Sequence, residues 1–388
     1  MWEFTCPRTI VMGDDALEYL ATIEGERALI VTDKGVRSLG IVDKVAKYLK
    51  DAGLEVEVYD EVEREPSKQN ILRGVEVARR FQPDWFVGLG GGSCMDAAKA
   101  MWVLYERPDL SIEEITPLTP LGLRKKARLI CIPTTSGTGS DATWAVVITD
   151  AEAKRKMELA SKEVVSDISI LDHTLAKTMP PQLTASTGLD ALTQGIEAYI
   201  AKWHNDFSDA LAIWSVKLAY EYLPRAYRNP DDMEAREKMH HVATMSGIAF
   251  SNSQICSVHA LGHAIGAVFK IPHGVSVAVF LPYVLEYNLK HALSRIADLA
   301  RIVGIAGESD KEVAKKFIED LRNFIKSLGV PTTLAELGIS REQLEEKLEE
   351  LVDKAMESTG TIANPRTPTR EDYKRIILYA YEGKNIDF

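Results

Sequence analysis

Three of the eight histidines of this 388-residue chain fall within one short stretch, at His259, His263 and His273. His259 and His263 are four residues apart, so on a helix they share one face. Pro272 is expected to stop that helix, and His273 would then fold back from the turn. Two imidazoles from a helix and its following turn suit a divalent metal, although an ordinary amphipathic helix can carry the same spacing.

A second stretch, residues 187–199, adds a carboxylate. The pattern predicts a helix with Asp190 in its first turn and Gln194 one turn along on the same face. Asp190 would supply a hard oxygen ligand. One carboxylate and two imidazoles leave a metal position open, which is typical of a catalytic site. Cys256, three residues before His259, could supplement such a site, although buried cysteines are usually inert packing.

Phosphate binding is indicated by three consecutive glycines, Gly90, Gly91 and Gly92, between an apolar strand and a helix. Glycines let the backbone approach a ligand, and a helix N-terminus offers N–H groups and a positive dipole end. Ser93 and Asp96 also fit an N-cap with its partner three residues on, and this alternative stays open. The position differs from the usual first-strand dinucleotide fingerprint, which argues against a plain Rossmann domain.

Two further polar features follow strands. Thr134, Thr135 and Thr138 carry hydroxyls that could bind the ribose, phosphates or amide of a nucleotide, with a simple hydroxyl-rich turn as the alternative. Asp33 follows the first apolar strand, where a carboxylate could bond the ribose hydroxyls and repel a 2′-phosphate. A turn-forming aspartate is the alternative there.

These residues must be positioned by two kinds of structure. The first half alternates strand-like and helix-like segments, which indicates an α/β layer with a mainly parallel sheet. The expected strands are 28–32, 54–59, 84–89, 128–133, 145–149 and 165–171, and the expected helices are 36–53, 67–81 and 93–105. After Pro180 almost every segment has helical spacing, with breaks expected at prolines such as Pro224 and Pro282. We therefore predict domains of residues 1–180 and 181–388.

Composition limits the classes of partner and the compartment that we expect for this chain. The net charge is −11 and no basic cluster occurs, so nucleic acid and anionic membrane are not expected as partners. The N-terminus shows no basic region before an apolar run, and no apolar run is long enough to cross a bilayer. The four cysteines are scattered, which favours a reducing cytoplasm.

With these residues assembled, the chain resembles the iron-containing (group III) alcohol dehydrogenase family over nearly its whole length. The resemblance implies an α/β N-terminal nucleotide-binding domain plus an all-α C-terminal domain, an architecture like that of dehydroquinate synthases. The matching motifs are Gly90-Gly91-Gly92-Ser93-x-x-Asp96-x-Ala98-Lys99, Pro133-Thr134-Thr135-x-Gly137-Thr138-Gly139-Ser140, Gly188-x-Asp190-Ala191-Leu192-Thr193, His259-x-x-x-His263 with His273-Gly274, and Asn364-Pro365-Arg366.

The resemblance implies an NAD(P)-dependent alcohol dehydrogenase or aldehyde reductase. Hydride would pass between the nicotinamide and a metal-bound primary or secondary alcohol. By position, the family's ligands for Fe²⁺ or Zn²⁺ fall on Asp190, Gln194, His259 and His273. The family's non-ligand histidine beside the nicotinamide falls on His263, our candidate for relaying the proton to solvent.

The resemblance also places Phe250 near the nicotinamide and Lys156 on the cofactor side. We expect NAD over NADP because of Asp33. Most metal-dependent members have histidine where this chain has Gln194, whose neutral amide oxygen is the poorer ligand. The expected partners are a small alcohol or aldehyde and further copies of the chain, as a dimer or larger homo-oligomer.

Three alternatives use the same fold. One is a metal-independent reductase similar to maleylacetate reductases, which would need cationic groups for an acidic substrate. A second is the lyase chemistry of dehydroquinate synthases, against which the alcohol dehydrogenase motifs argue. The third is a non-catalytic nucleotide-binding relative whose metal site has decayed at Gln194.

Overall fold

The structure is a computed structural model that describes residues 3–150 and 155–388. The chain divides into two compact units, Thr5–Thr178 and Met179–Phe388, and Phe4 belongs to the second. Phe4 packs there against Phe207, with ring centroids 5.5 Å apart. The first unit is α/β and the second is helical, which confirms the predicted fold class.

The first unit is built on a parallel sheet of six strands in the order β1-β8-β5-β4-β2-β3. Two further strands, β6 and β7, pair with each other in antiparallel fashion. The bounds are β1 Thr9–Met12, β2 Arg27–Val31, β3 Glu55–Tyr59, β4 Trp85–Gly90, β5 Arg128–Pro133, β6 Ala145–Asp150, β7 Arg155–Ala160 and β8 Ile168–Leu171. The α-helices of this unit are α1 Lys34–Ser38, α2 Ile41–Asp51, α3 Lys68–Phe81 and α4 Gly92–Glu106.

The apolar runs become strands because both faces of the sheet are buried. Along β2, Leu29 and Val31 join one apolar cluster, whereas Ala28 and Ile30 join another. Alternating side chains of one strand thus reach two separate cores, as a sheet covered on both faces requires.

The strand register brings the predicted nucleotide residues together at one edge. Gly90 at the end of β4 is opposite Pro133 at the end of β5, and the N–H of Thr134 donates to the carbonyl of Gly90 at 2.9 Å. On the other side, Val31 of β2 is opposite Gly88. Parallel strands end at the same edge, so Asp33 and the segments that begin at Gly90 and Thr134 share that edge.

Several local predictions need correction. The helix expected at 36–53 is two helices, α1 and α2. Gly40 lies between them, and its left-handed backbone conformation, with a φ of 74°, interrupts the helix. Strands β1 and β7 were not predicted, since β1 has four residues and neither carries a long apolar run. Their pairing to β8 and β6 supplies what their own sequences do not indicate.

The second unit consists of helices around one apolar core. Pro224 and Pro282 were expected to break helices, but each lies inside one, in Asp206–Arg228 and His273–Ile302 respectively. The irregular residue of the second of these helices is Ala292. Burial of the helix faces outweighs the cost of about 3 kcal/mol for an internal proline. Among the described residues, no helix is long and apolar enough to span a membrane. The helices are α5 Pro181–Ile200, α6 Asp206–Arg228, α7 Met233–Ser251, α8 Ser257–Phe269, α9 His273–Ile302, α10 Asp310–Ser327, α11 Arg341–Glu357, α12 Thr359–Ala363 and α13 Arg370–Glu382.

Candidate metal and nucleotide sites

Helix α5 carries the predicted carboxylate ligand. It begins at Pro181, a residue suited to the first turn because no N–H has to be satisfied there. Asp190 therefore lies in the middle of the helix, and its predicted place in a first turn is wrong. Asp190, Gln194 and Glu197 occupy successive turns of one face, and all three are buried.

The two histidines come from neighbouring helices. His259 lies near the start of α8, and His273 is the first residue of α9. A Cβ atom on Gly274 would lie 1.9 Å from the backbone oxygen of Ser186 in α5, so only glycine fits there. The glycine after His273 thus lets the start of α9 approach α5 one turn before Asp190.

Three candidate ligand atoms converge in this unit. Oδ1 of Asp190 lies 3.3 Å from Nε2 of His259 and 3.3 Å from Nε2 of His273. Two atoms bound to one tetrahedral metal at zinc-like bond lengths would lie about 3.4 Å apart. Oδ1 is buried, yet among the described residues no donor is aligned to hydrogen-bond with it. The residues present therefore fit a divalent cation.

Glu197 is a residue of this site that the sequence did not single out. Its fully buried carboxylate accepts the Nδ1–H of His259 at one oxygen and the N–H of Val258, at 2.7 Å, at the other. A carboxylate behind a metal-binding histidine fixes the ring and directs the opposite nitrogen outwards. The available signal was spacing, since Glu197 lies seven residues after Asp190 on one helix face.

The charges of this cluster shift pKa values in opposite directions. Burial alone would raise the pKa of Asp190, but the nearby imidazoles, His273 first and His259 with it, hold that pKa well below its usual range. Burial alone would lower the pKa of His259, but Glu197 and Asp190 raise it to about 10. Burial lowers the pKa of His273. His259 therefore holds a proton at neutral pH that an arriving cation must displace.

Gln194 has a hydrogen-bond partner on another helix. Oγ of Ser246 in α7 donates to its Oε1 at 2.9 Å. This contact directs the amide oxygen of Gln194 towards α7. Ligation by Gln194 stays a prediction.

The other predicted residues of this unit lie on the same helices. His263 is half-buried, and its ring centroid is 4.9 Å from that of His273. Phe250 is half-buried near the end of α7. Their roles beside a nicotinamide stay predictions. Cys256 instead faces the backbone oxygen of Glu197 at 3.6 Å and is outside the ligand cluster, so the suggestion that it supplements the metal is wrong.

In the α/β unit, residues 90–93 form a glycine loop between β4 and α4. Gly90 has φ of 143°, and a Cβ atom there would lie 2.7 Å from Sγ of Cys94. Gly91 is the N-cap, the helix begins at Gly92, and no side chain caps it. The N-cap alternative for Ser93 is therefore wrong, and its hydroxyl donates to a backbone carbonyl at 2.6 Å. A helix start of this form suits a phosphate.

Residues 134–140 form a hydroxyl loop beside the glycine loop. A Cβ atom on Gly91 would lie 3.6 Å from Oγ1 of Thr135, and one on Gly92 would lie 3.0 Å from Oγ1 of Thr138. Two half-exposed hydroxyls therefore border the glycines, where a pyrophosphate would approach the backbone. Lys156 lies in β7, but its side chain is outside the part of the chain that the structure describes.

Asp33 is held from two sides at the end of β2. Its Oδ1 accepts the N–H of Val36 at 2.9 Å and caps α1, and its Oδ2 accepts the thiol of Cys94 at 3.2 Å. The half-exposed carboxylate therefore forms a turn and helix cap, and its contact with a ribose stays a prediction. It starts a helix, and it stands beside the residue that follows the glycine loop.

Asp96 points into the protein. Its Oδ1 accepts the hydroxyl of Ser140 at 2.5 Å and its Oδ2 accepts the N–H of Val147 at 3.0 Å. Lys99, which the sequence did not single out as a site residue, is fully buried and donates to Ser140 Oγ at 3.2 Å and to the carbonyl of Thr143 at 3.0 Å. Both side chains thereby hold the hydroxyl loop against α4. Direct contact of Asp96 with a cofactor stays a prediction.

Comparison with known proteins agrees with these features. The family model "Iron-containing alcohol dehydrogenase" matches residues 7–173, and "Fe-containing alcohol dehydrogenase family, C-terminal" matches residues 184–381. The chain is 41% identical to the NADPH-dependent butanol dehydrogenase of Clostridium saccharobutylicum, over 100% of both chains. It is 36% identical to the NAD-dependent methanol dehydrogenase of Bacillus methanolicus, over 98% of this chain and 100% of that one.

A solved structure shows the same architecture. The iron-containing alcohol dehydrogenase of Thermococcus thioreducens superimposes with a TM-score of 0.90 at 36% identity, covering 99% of this chain and 100% of that one. Both halves of the chain are thus matched in one protein. The chain belongs to the iron-containing alcohol dehydrogenase family and is an oxidoreductase of alcohols and aldehydes.

Proposed function

We propose that the chain interconverts a small primary or secondary alcohol and its carbonyl compound with NAD(P), using a metal centre at Asp190, His259 and His273. The observation that carries the proposal is the convergence of two imidazole nitrogens on a buried carboxylate oxygen to which no described donor is aligned. The glycine loop, with the uncapped start of α4, supports a pyrophosphate site in the other unit.

The donor set suits Fe²⁺ or Zn²⁺, since one carboxylate and two imidazoles match the ligand types of both ions. A metal held there would supply Lewis-acid chemistry that lowers the pKa of an alcohol hydroxyl, and a nicotinamide would supply hydride chemistry. Asp190 contributes the negative charge that offsets the cation, and the histidines contribute neutral nitrogens. Gln194 is proposed as a fourth, weaker ligand.

The remaining residues have proposed roles in orientation and proton movement. His263 is half-buried beside His273, and its imidazole is proposed to relay the proton to solvent. Phe250 is proposed to contact the nicotinamide, and Lys156 to lie on the cofactor side. Asp96 and Lys99 hold the hydroxyl loop in place beside the glycines.

We propose NAD as the preferred nucleotide. The support is the fixed carboxylate of Asp33 at the edge where the ribose would lie, because its charge repels a 2′-phosphate. The names of the relatives leave both nucleotides open, since one is NADPH-dependent and another is NAD-dependent.

We further propose a homo-oligomer, a dimer or larger, in a reducing cytoplasm. The four cysteines are unpaired, which agrees with a reducing compartment. The oligomer is proposed from the family resemblance alone.

The experiment is metal analysis of gently purified protein, followed by assays with NAD⁺ or NADH. A panel of short primary and secondary alcohols, and of the matching aldehydes and ketones, would be tested with Fe²⁺ under anaerobic conditions, with Zn²⁺, and after chelation. Turnover that disappears on chelation and returns with metal is the expected result.

The other outcomes each identify an alternative. Full turnover in metal-free protein would assign the chain to the metal-independent reductases. Nucleotide binding without turnover of any panel member, with metal present, would favour the non-catalytic relative.

A further inference from the structure

The start of α8, which carries His259, is held by side chains from elsewhere in the same unit. Its N-cap residue, Cys256, makes no side-chain cap. The N–H of Val258 instead donates to Oε1 of Glu197 at 2.7 Å, and the N–H of Ser257 donates to Oδ1 of Asn364 at 3.3 Å. Two of the N–H groups that a helix start leaves unpaired are therefore satisfied by α5 and by the segment after α12.

Glu197 differs from Asn364 in a second contact. Its other oxygen, Oε2, accepts the Nδ1–H of His259, and the side chain of Glu197 is fully buried. The opposite ring nitrogen, Nε2, then faces Oδ1 of Asp190 at 3.3 Å. One carboxylate thus sets both the position of the helix and the orientation of the imidazole.

We propose that Glu197 is the positioning residue of the metal centre: it keeps the proton of His259 on Nδ1 and so commits Nε2 to the metal. The proposal rests on the proposed function and deepens it. A carboxylate is required because two N–H donors face it, from Val258 and from the imidazole, and each of its oxygens accepts one.

An amide in the same place would satisfy only one of these donors. In Glu197→Gln, the single carbonyl oxygen can accept from Val258 or from His259, and the NH₂ group then faces the other. If the NH₂ group faces Nδ1, the favoured tautomer carries its proton on Nε2, the nitrogen directed at Asp190. In that tautomer Nε2 has no lone pair for a metal.

The test compares Glu197→Gln with Asn364→Ala in the full chain. Asn364→Ala also removes a cap of α8, but the hydrogen bonds described for Asn364 go to Ser257, Asn288 and Arg366 and not to the imidazole. Zn²⁺ affinity would be measured by competition with a chromophoric chelator, and the melting temperature of metal-free protein by calorimetry. We expect Glu197→Gln to lower Zn²⁺ affinity by about 10- to 100-fold. Asn364→Ala should lower the melting temperature and keep the wild-type affinity.

Two results would overturn the proposal while leaving the function intact. One is wild-type Zn²⁺ affinity in Glu197→Gln. The other is an equal loss of affinity in both variants, which would reduce Glu197 to a helix cap. Failure of the wild type to bind any Zn²⁺ would instead remove the metal centre itself, so the two kinds of failure are distinguishable.

A measurement on the wild type covers the case in which Glu197→Gln does not fold. Long-range ¹H–¹⁵N correlation spectra of Zn²⁺-loaded protein report which ring nitrogen of a histidine carries a proton. We expect a slowly exchanging Nδ1–H and a metal-bound Nε2 for one histidine whose signals are missing in His259→Gln. Metal at Nδ1 of that residue would overturn the proposal.

Discussion

Nε2 of His259 lies 3.3 Å from Oδ1 of Asp190, although the two residues belong to different helices. The contact has the length of an edge in a metal coordination sphere and lacks the alignment of a hydrogen bond. Nε2 of His273, which belongs to a third helix, also lies 3.3 Å from Oδ1 of Asp190.

Asp190→Asn keeps the shape of the side chain and removes its charge. We expect it to lower metal affinity by at least the 10- to 100-fold typical of changes around a metal, and to remove turnover. Metal content by mass spectrometry and steady-state rates measure both. Glu319→Gln, an exposed acid on α10, is the control. Full activity in Asp190→Ala together with a metal-free wild type would end the metal mechanism.

Gln194→His should strengthen metal retention, because imidazole is a better ligand than a neutral amide. We expect about 10- to 100-fold slower loss of metal to a chelator. Activity need not rise, since a fourth protein ligand can crowd the substrate. Ser246→Ala is the matched variant, because it removes the hydroxyl that donates to Gln194 and leaves Gln194 itself in place. Unchanged metal retention in Gln194→His would show that this position is not a ligand site.

Metal binding should depend strongly on pH. In metal-free protein the pKa of His259 is raised to about 10, so the imidazole is protonated at neutral pH and must release a proton to bind a cation. We expect Zn²⁺ affinity to rise about tenfold per pH unit from neutral pH towards 10. Calorimetry in buffers of different ionisation enthalpy would count the proton released. An affinity independent of pH would contradict this state of His259.

The same shift predicts how stability depends on pH without metal. Because the folded pKa of His259 lies above its unfolded value of 6.5, its stabilising contribution is complete below 6.5 and is lost as pH rises through about 10. Denaturant unfolding of metal-free protein at several pH values would show this loss. His259→Gln should flatten that part of the profile.

Asp33→Asn should relax the preference for NAD. The amide keeps an oxygen that can cap Val36 but removes the negative charge near a 2′-phosphate. We expect the ratio of kcat/KM for NADP to that for NAD to rise about tenfold, because the repulsion between the carboxylate of Asp33 and the 2′-phosphate of NADP is removed. Asp33→Gly should relax the preference as well, with loss of the helix cap. A wild type that already prefers NADP would show that Asp33 does not select the nucleotide.

Lys99→Met should destabilise the α/β unit. Lys99 is fully buried, donates to the hydroxyl loop and lies 3.8 Å from Asp96, so its removal leaves a buried carboxylate without its cation. Breaking a buried pair in this way costs about 3–5 kcal/mol, measured by denaturant unfolding. Lys47→Met, on an exposed position of α2, should change the free energy of unfolding by less than about 0.5 kcal/mol. Equal stability of the two variants would contradict the role assigned to Lys99.

Local patterns predicted the α/β and helical halves and the types of residue at both sites. They failed where a neighbour decides the structure. Strand β1 forms because β8 lies beside it, and Pro282 stays inside α9 because that helix is buried on a large apolar core. Neither partner can be read from the segment itself.

The sequence by itself determined the candidate ligand residues, the glycine loop and the membership of a family, because these depend on residue types at short spacing. Only the tertiary structure decided which distant groups meet. Gly274 brings His273 to α5, and Glu197 faces both α8 and the imidazole of His259. Lys99 of α4 donates to Ser140 in the hydroxyl loop that follows β5. A buried charge is stable only with its partner, and that partner is set by the packing of elements far apart in the chain.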